Sequence, residues 1–106
     1  MLTNNIIFDG IKNINKARTI IRSYNPKKVL ILSLVQLPNE VITALQNIPN
    51  ATVVYCNNNY DFIDSISAAD KIVLISKIFI TDSDTYKTIK NIIKNQQKEV
   101  IYDILV

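Results

Sequence analysis

Val29-Leu30-Ile31-Leu32-Ser33-Leu34-Val35 is a run in which apolar side chains do not alternate with polar ones. Successive side chains of a β-strand point to opposite faces, so an unbroken apolar run needs cover on both sides. Such a strand belongs at the centre of a parallel sheet with helices above and below it. Three further segments read as strands: Ala51–Cys56, Lys71–Ser76 and Glu99–Val106.

Helical patterns separate these strands. Pro38 suits the first turn of a helix whose apolar stripe is Val41, Leu45 and Ile48, and Pro49 ends it. Asn57-Asn58-Asn59 forms a turn, after which Asp61 caps a short helix with Phe62 or Ile63, Ile66 and Ala69 inside. Another helix runs from about Asp82 to Gln97 with Tyr86, Ile89 and Ile93 inward. Ahead of the first strand, Ile7, Ile11, Ile14 and Ile21 recur at helical spacing, with Lys12, Lys16, Thr19 and Ser23 turned away, in a helix that stops before Pro26. A short strand at Ile6–Phe8 is the alternative for its start.

Strand and helix therefore alternate, which implies parallel strands joined by right-handed crossovers in a three-layer α/β sandwich. The simplest arrangement is a single domain over residues 1–106 with about four strands in spatial order 2-1-3-4, a small Rossmann-like or flavodoxin-like unit with helices on both faces. No repeat, linker or compositional break divides it.

Composition narrows the chemistry. The chain has no His, one Gly and one Cys, so the commonest general base is missing and a glycine-rich phosphate cradle cannot be built. Cys56 has no base to activate it and reads as a buried structural thiol. With no second cysteine there is no disulfide, and the expected compartment is a reducing, cytoplasmic one. Met1–Asp9 lacks the pattern of a leader, and the longest apolar stretch, Ile72–Ile80, is interrupted by Ser76 and Lys77 and falls short of the roughly 20 residues that cross a bilayer. We therefore expect no membrane contact.

In an open α/β sheet, ligands bind beyond the carboxyl ends of the strands where the strand order reverses, here between the first and third strands. The loops at that point are Ser33–Asn39 and Ser76–Ser83. Ser33, Gln36, Asn39, Ser76, Lys77, Thr81 and Ser83 are the candidate donors for a small anion or nucleotide, with two helix starts behind them. The polar segment Asn57–Asp61 leaves the second strand at the same rim, as a turn or as a pocket lining.

Asp82-Ser83-Asp84 places two carboxylates two residues apart near a strand end, where they can share a divalent cation. The arrangement resembles the Asp-x-Asp motif of toprim domains, which cut or copy nucleic acid with magnesium, and the likeness extends loosely over Lys27–Val106 in the alternation of elements. In that family a glutamate ends the first strand, where this chain has Ser33-Leu34-Val35. The aspartates there directly follow the third strand, where Ser76 and Lys77 stand here, and a glycine follows the acidic pair, which this chain lacks. As a plain helix start, Asp82 caps and Asp84 complements the dipole. The expectation is accordingly no metal and no cofactor, with magnesium at Asp82 and Asp84 as the alternative.

Lys87, Lys90, Lys94 and Lys98 fall close to one helix face in a chain of net charge +3. No acid is placed to pair with them along the helix, so they form either a solvated face or a phosphate-tracking stripe for nucleic acid. Aromatic residues for base stacking do not alternate with them, which favours the solvated face. Ile78-Phe79-Ile80 and Ile104-Leu105-Val106 need cover. The first segment extends the third strand, tucks under as a staple, or meets a partner, and the second fits an edge shielded by another copy. Asp103 alternates with Tyr102 and Ile104, on the face of Ile101 and Leu105, and reads as an edge charge, the alternative being a buried site candidate held by a lysine or backbone amides. The function expected from these residues is that of a non-enzymatic α/β interaction or regulatory module, homo-oligomeric, with Ile78, Phe79, Ile80, Ile104 and Val106 at the interface.

Overall fold

A computed structural model describes residues 14–56, 62–77 and 83–105. The expectations placed on Ile6–Phe8, Ile7 and Ile11, on Asn57–Asp61, on Ile78–Asp82 and on Val106 lie outside the described residues. Helix α1 covers 14–24. It is followed by β1 (Val29–Ser33), α2 (Asn39–Gln46), β2 (Ala51–Tyr55), α3 (Phe62–Ala68), β3 (Lys71–Ser76), α4 (Asp84–Asn95) and β4 (Glu99–Leu105).

The strands form one parallel sheet in the order β2-β1-β3-β4. All five residues of β1 are buried, as are Ile72–Ser76 of β3, which meets the demand of unbroken apolar runs for cover on both faces. That cover divides the core into two clusters. Ile14, Ala17 and Ile21 of α1 and Val41 and Leu45 of α2 pack on Val29, Ile31, Val73 and Ile75. Phe62 and Ile66 of α3 and Ile89 and Ile93 of α4 pack on Leu30, Leu32, Ile72 and Leu74. The split follows from topology. The step from β1 to β2 runs opposite to the steps from β2 to β3 and from β3 to β4, so crossovers of one hand put α2 on one face and α3 and α4 on the other.

Several boundaries differ from the sequence expectation. Strand β1 ends at Ser33, two residues early, because the Ser33 hydroxyl turns back on the next loop residues: it donates to the Val35 carbonyl and accepts from the Val35 N–H at 3.2 Å. Pro38 precedes α2 as its N-cap, its carbonyl accepting from Val41 and Ile42. Helix α4 starts at Asp84 with Ser83 as N-cap, so Ser83 holds the place expected for Asp82. Strand β4 carries an irregularity, since Ile72 pairs with Val100 but Val73 with Tyr102. The extra residue lets Ile101 share a face with Tyr102 and Ile104 and breaks the expected alternation with Asp103.

Left-handed turn positions usually fall to glycine, yet the positive-φ residues described here are Asn25, Asn50 and Gln97. Asn25 ends α1 ahead of Pro26, its N–H reaching the Ile21 carbonyl at 3.0 Å. Gln97 closes α4 in a Schellman arrangement, with Lys98 N–H on the Ile93 carbonyl and Gln97 N–H on that of Lys94. Glutamine lacks the local side-chain bonding that eases asparagine into this conformation, which costs an ordinary L-residue roughly 1–2 kcal/mol. Gln97→Gly is therefore expected to stabilise the fold by about 1 kcal/mol in urea unfolding, whereas Asn25→Gly should change it by less.

Candidate functional site

The strand ends bring Ser33 and Ser76 to adjacent positions on one rim, since Ser33 pairs with Ile75. Both are 1% exposed. Their chemistry differs. The Ser33 hydroxyl is spent on its clip with Val35, whereas Ser76 Oγ has no hydrogen-bond partner among the described residues. Ser83 is half-buried and its hydroxyl accepts from the Tyr86 N–H at 3.2 Å, which satisfies the start of α4. Gln36, Asn39 and Lys77 are exposed, and Thr81 lies outside the described residues. Of the seven candidates, the rim thus holds two buried hydroxyls on neighbouring strands but on opposite faces of the sheet, with one already occupied.

The charges at the two helix starts oppose an anion. Glu40 stands in the first turn of α2 and Asp84 in the first turn of α4, where they complement the helix dipoles. A phosphate arriving at either helix start would meet a carboxylate. For a cation the donor set is also short: Asp84 is exposed at the start of α4, Asp82 lies outside the described residues, and no group of three or more Cys, Asp or Glu able to hold a metal occurs among the described residues. Magnesium in proteins is held by carboxylates in octahedral oxygen geometry, and the described residues of this rim supply only Asp84 toward the proposed pair.

The lysine face of α4 is not the unpaired stripe expected. Lys90 donates to Asp103 of β4 at 3.1 Å, with its amine 5.5 Å from the centre of the Tyr86 ring. Burial works to lower the Lys90 pKa, but the Asp103 hydrogen bond and charge and the nearby Tyr86 outweigh it, so the amine stays above its ordinary value. Tyr86, expected inward, is only half-buried beneath this pair. Lys98 lies past the end of α4, leaving Lys87 and Lys94 as exposed lysines of that face. At the other end of β4, Glu99 accepts from Lys71 and holds its amine above the usual value. Strand β4 is thus an edge carrying two acids, both in exposed ion pairs, as anticipated for Asp103.

Ile104, expected at an interface, is 4% exposed and belongs to this chain's own core beneath α1. The bulge in β4 places it there. The opposite edge is different. Strand β2, Ala51-Thr52-Val53-Val54-Tyr55, carries no charged residue, and no described strand lies beyond it. Tyr55 is 52% exposed, and Val53 and Val54 are only partly covered. A groove of about 230 Å³ lined by Val29, Leu30, Thr52, Asp64 and Ala68 opens beside it on the α3 side. Its signal was present in the sequence as a strand with neither Lys, Glu nor Pro, the residues that usually blunt an edge.

A second groove, about 110 Å³, is lined by Arg18 and Arg22 together with Asn25 and Asn50. These are the only arginines in the chain. Helices α1 and α2 both end beside this groove, so an anion there would face two negative dipole ends, and Arg22 in the last turn of α1 is where such a dipole recruits a cation. Half-buried Cys56 is held above the ordinary thiol pKa by burial.

No protein-family model matches the chain, and no curated protein and no solved structure matches it significantly. None of the described helices is long and apolar enough to cross a membrane.

Two measurements probe these side chains. Removing an unpartnered buried hydroxyl relieves its desolvation, so Ser76→Ala is expected to leave stability unchanged or raise it by up to about 1 kcal/mol, against a loss for Ser83→Ala of about 1 kcal/mol as its cap is removed. Urea unfolding of the two variants checks the opposite signs. Desolvation favours the neutral thiol, so alkylation of Cys56 in the folded protein is expected to reach half its maximal rate at a pH above the usual thiol range of about 8.5, and in denaturant at that range.

Proposed function

We propose that this protein is a non-enzymatic α/β interaction module that works by protein contacts and associates with itself. The observation that carries this reading is the uncharged edge at β2, beyond which no described strand lies, with Tyr55 half-exposed on it. An edge strand presents unpaired N–H and C=O groups, and natural sheets usually blunt such edges with charge, proline or a bulge. The β4 edge of the same sheet has both charge and a bulge, so the plain β2 edge stands out within a single molecule.

What the rim offers a small ligand supports this reading by contrast. Its hydroxyls at Ser33 and Ser83 are engaged with backbone, and its helix starts carry Glu40 and Asp84. The 2-1-3-4 order is that of a small Rossmann-like unit, but fold alone assigns no activity. The single cysteine fits residence in the reducing cytoplasm.

Light scattering across a wide concentration range tests the proposal. The expected result is a species of at least twice the 12.1 kDa chain mass at the higher concentrations. A monomer throughout, joined to a rise in melting temperature with a nucleotide or a divalent ion, would replace it by a ligand-binding function, since ligand at a hundredfold its dissociation constant stabilises by about 2.7 kcal/mol.

A further inference from the structure

Backbone direction along β2 is set by its bonds to β1. Val29 N–H donates to the Asn50 carbonyl at 2.9 Å, and Cys56 N–H donates to the Ser33 carbonyl at 2.7 Å. Residues 50 and 56 therefore face β1, and with them the even-numbered residues between, because a strand turns its N–H and C=O to alternate sides. The odd-numbered residues face outward: the N–H and C=O of Val53 and of Tyr55, and the C=O of Ala51. The remaining outward donor, Ala51 N–H, is already taken by the Ile48 carbonyl at 3.1 Å.

This set is complementary to itself under a two-fold rotation. We propose that a second copy of this chain pairs antiparallel with β2 about an axis through Val53, fusing two four-stranded sheets into one. Val53 of each copy then exchanges two hydrogen bonds with Val53 of the other, and each Tyr55 N–H donates to the opposite Ala51 carbonyl. The opposite Tyr55 carbonyl would accept from Ala51 N–H, but the turn already engages that donor, so four interchain bonds form and each Tyr55 carbonyl stays with solvent. Side chains agree with the register. Ala51 faces Tyr55, small against large, and Val53 faces itself, so the half-exposed Tyr55 ring gains cover. No like charges meet along the strand, and the one charged residue of the neighbouring helix α2, Glu40, falls at opposite ends of the antiparallel pair. The β4 edge is poorly suited to the same pairing, because a two-fold axis midway along it would bring each Glu99 against the Asp103 of the other copy.

This inference rests on the self-association reading and names its partner and register. It is tested with cysteine variants of the full chain in which Cys56 is replaced by Ser. Across the axis, hydrogen-bonded antiparallel neighbours have Cα atoms about 5.5 Å apart, within the span of a disulfide. Val53→Cys is expected to convert most of the protein to a disulfide-linked dimer under mild oxidation. Thr52 lies opposite Val54 instead, about 8 Å from its own copy given a rise of about 3.4 Å per residue, so Thr52→Cys should stay reduced. Val53→Pro removes only an outward donor, which an edge strand tolerates, and is expected to be monomeric in light scattering with an unchanged circular dichroism spectrum.

Equal crosslinking at both positions, or none, in a parent chain that still dimerises would overturn the β2 pairing and leave self-association standing. A dimer that survives Val53→Pro does the same. A parent chain that is monomeric at every concentration overturns both. If Val53→Pro unfolds, the two cysteine variants decide the matter on their own.

Discussion

Burial of β1 and β3 on both faces is the constraint from which the remaining architecture follows. Val29, Ile31, Leu32, Ile72, Val73 and Leu74 are fully buried. At about 25 cal/mol per Å² of apolar surface removed from water, leaving either face of this strand pair bare would forfeit several side chains' worth of stabilisation, each about 1.5–3 kcal/mol. Helices are needed above and below, and a chain that alternates strand and helix supplies them by reversing direction once. That reversal places β1 and β3 at the centre and leaves β2 and β4 to form the edges.

The two edges are managed differently. Strand β4 meets solvent with Glu99 and Asp103, tied to Lys71 and Lys90, and with an irregular register at Val73. Exposed ion pairs of this kind contribute only about 0–1 kcal/mol each to stability. Their weight lies elsewhere: a foreign strand approaching β4 must break them and desolvate two carboxylates, and this keeps the edge closed to pairing. Strand β2 has none of these features. An edge that lacks these devices among the described residues, within a sheet that protects its other edge, is the physical basis on which contacts are proposed for β2.

The order of the sheet was legible because one signal dominated it. The uninterrupted Val29–Val35 run has a single low-energy location, and alternation with amphipathic segments then restricts the topology. Details set by local hydrogen bonds were not legible. Nothing in hydropathy tells that the Ser33 hydroxyl will clip onto Val35 and end the strand early, or that Ser83 rather than Asp82 will cap α4, since both are good N-cap residues and lie side by side. Ile104 was placed outside because apolar pattern alone does not reveal the shift at Ile72 and Val73 that turns it into the core. At the rim, Ser33 and Ser76 do end neighbouring strands as their positions implied, but they face opposite sides of the sheet, and the partners of their hydroxyls depend on geometry that spacing does not encode.

The same scarcity of glycine explains both the turns and the quiet rim. Where a chain has glycine to spare, strand ends can bend on backbone freedom alone and leave nearby hydroxyls and amides facing a ligand. Here, with one Gly in the whole sequence, the turns are held by side chains and by strained residues: Ser33 on Val35, Ser83 on Tyr86, and left-handed Asn25, Asn50 and Gln97. The Ser33 and Ser83 hydroxyls near the topological switch are therefore structural. Ser76 is the exception, and it is enclosed rather than presented to solvent. Hydrogen-bonding capacity that remains exposed in an ordered array is found along β2, where the backbone itself provides it.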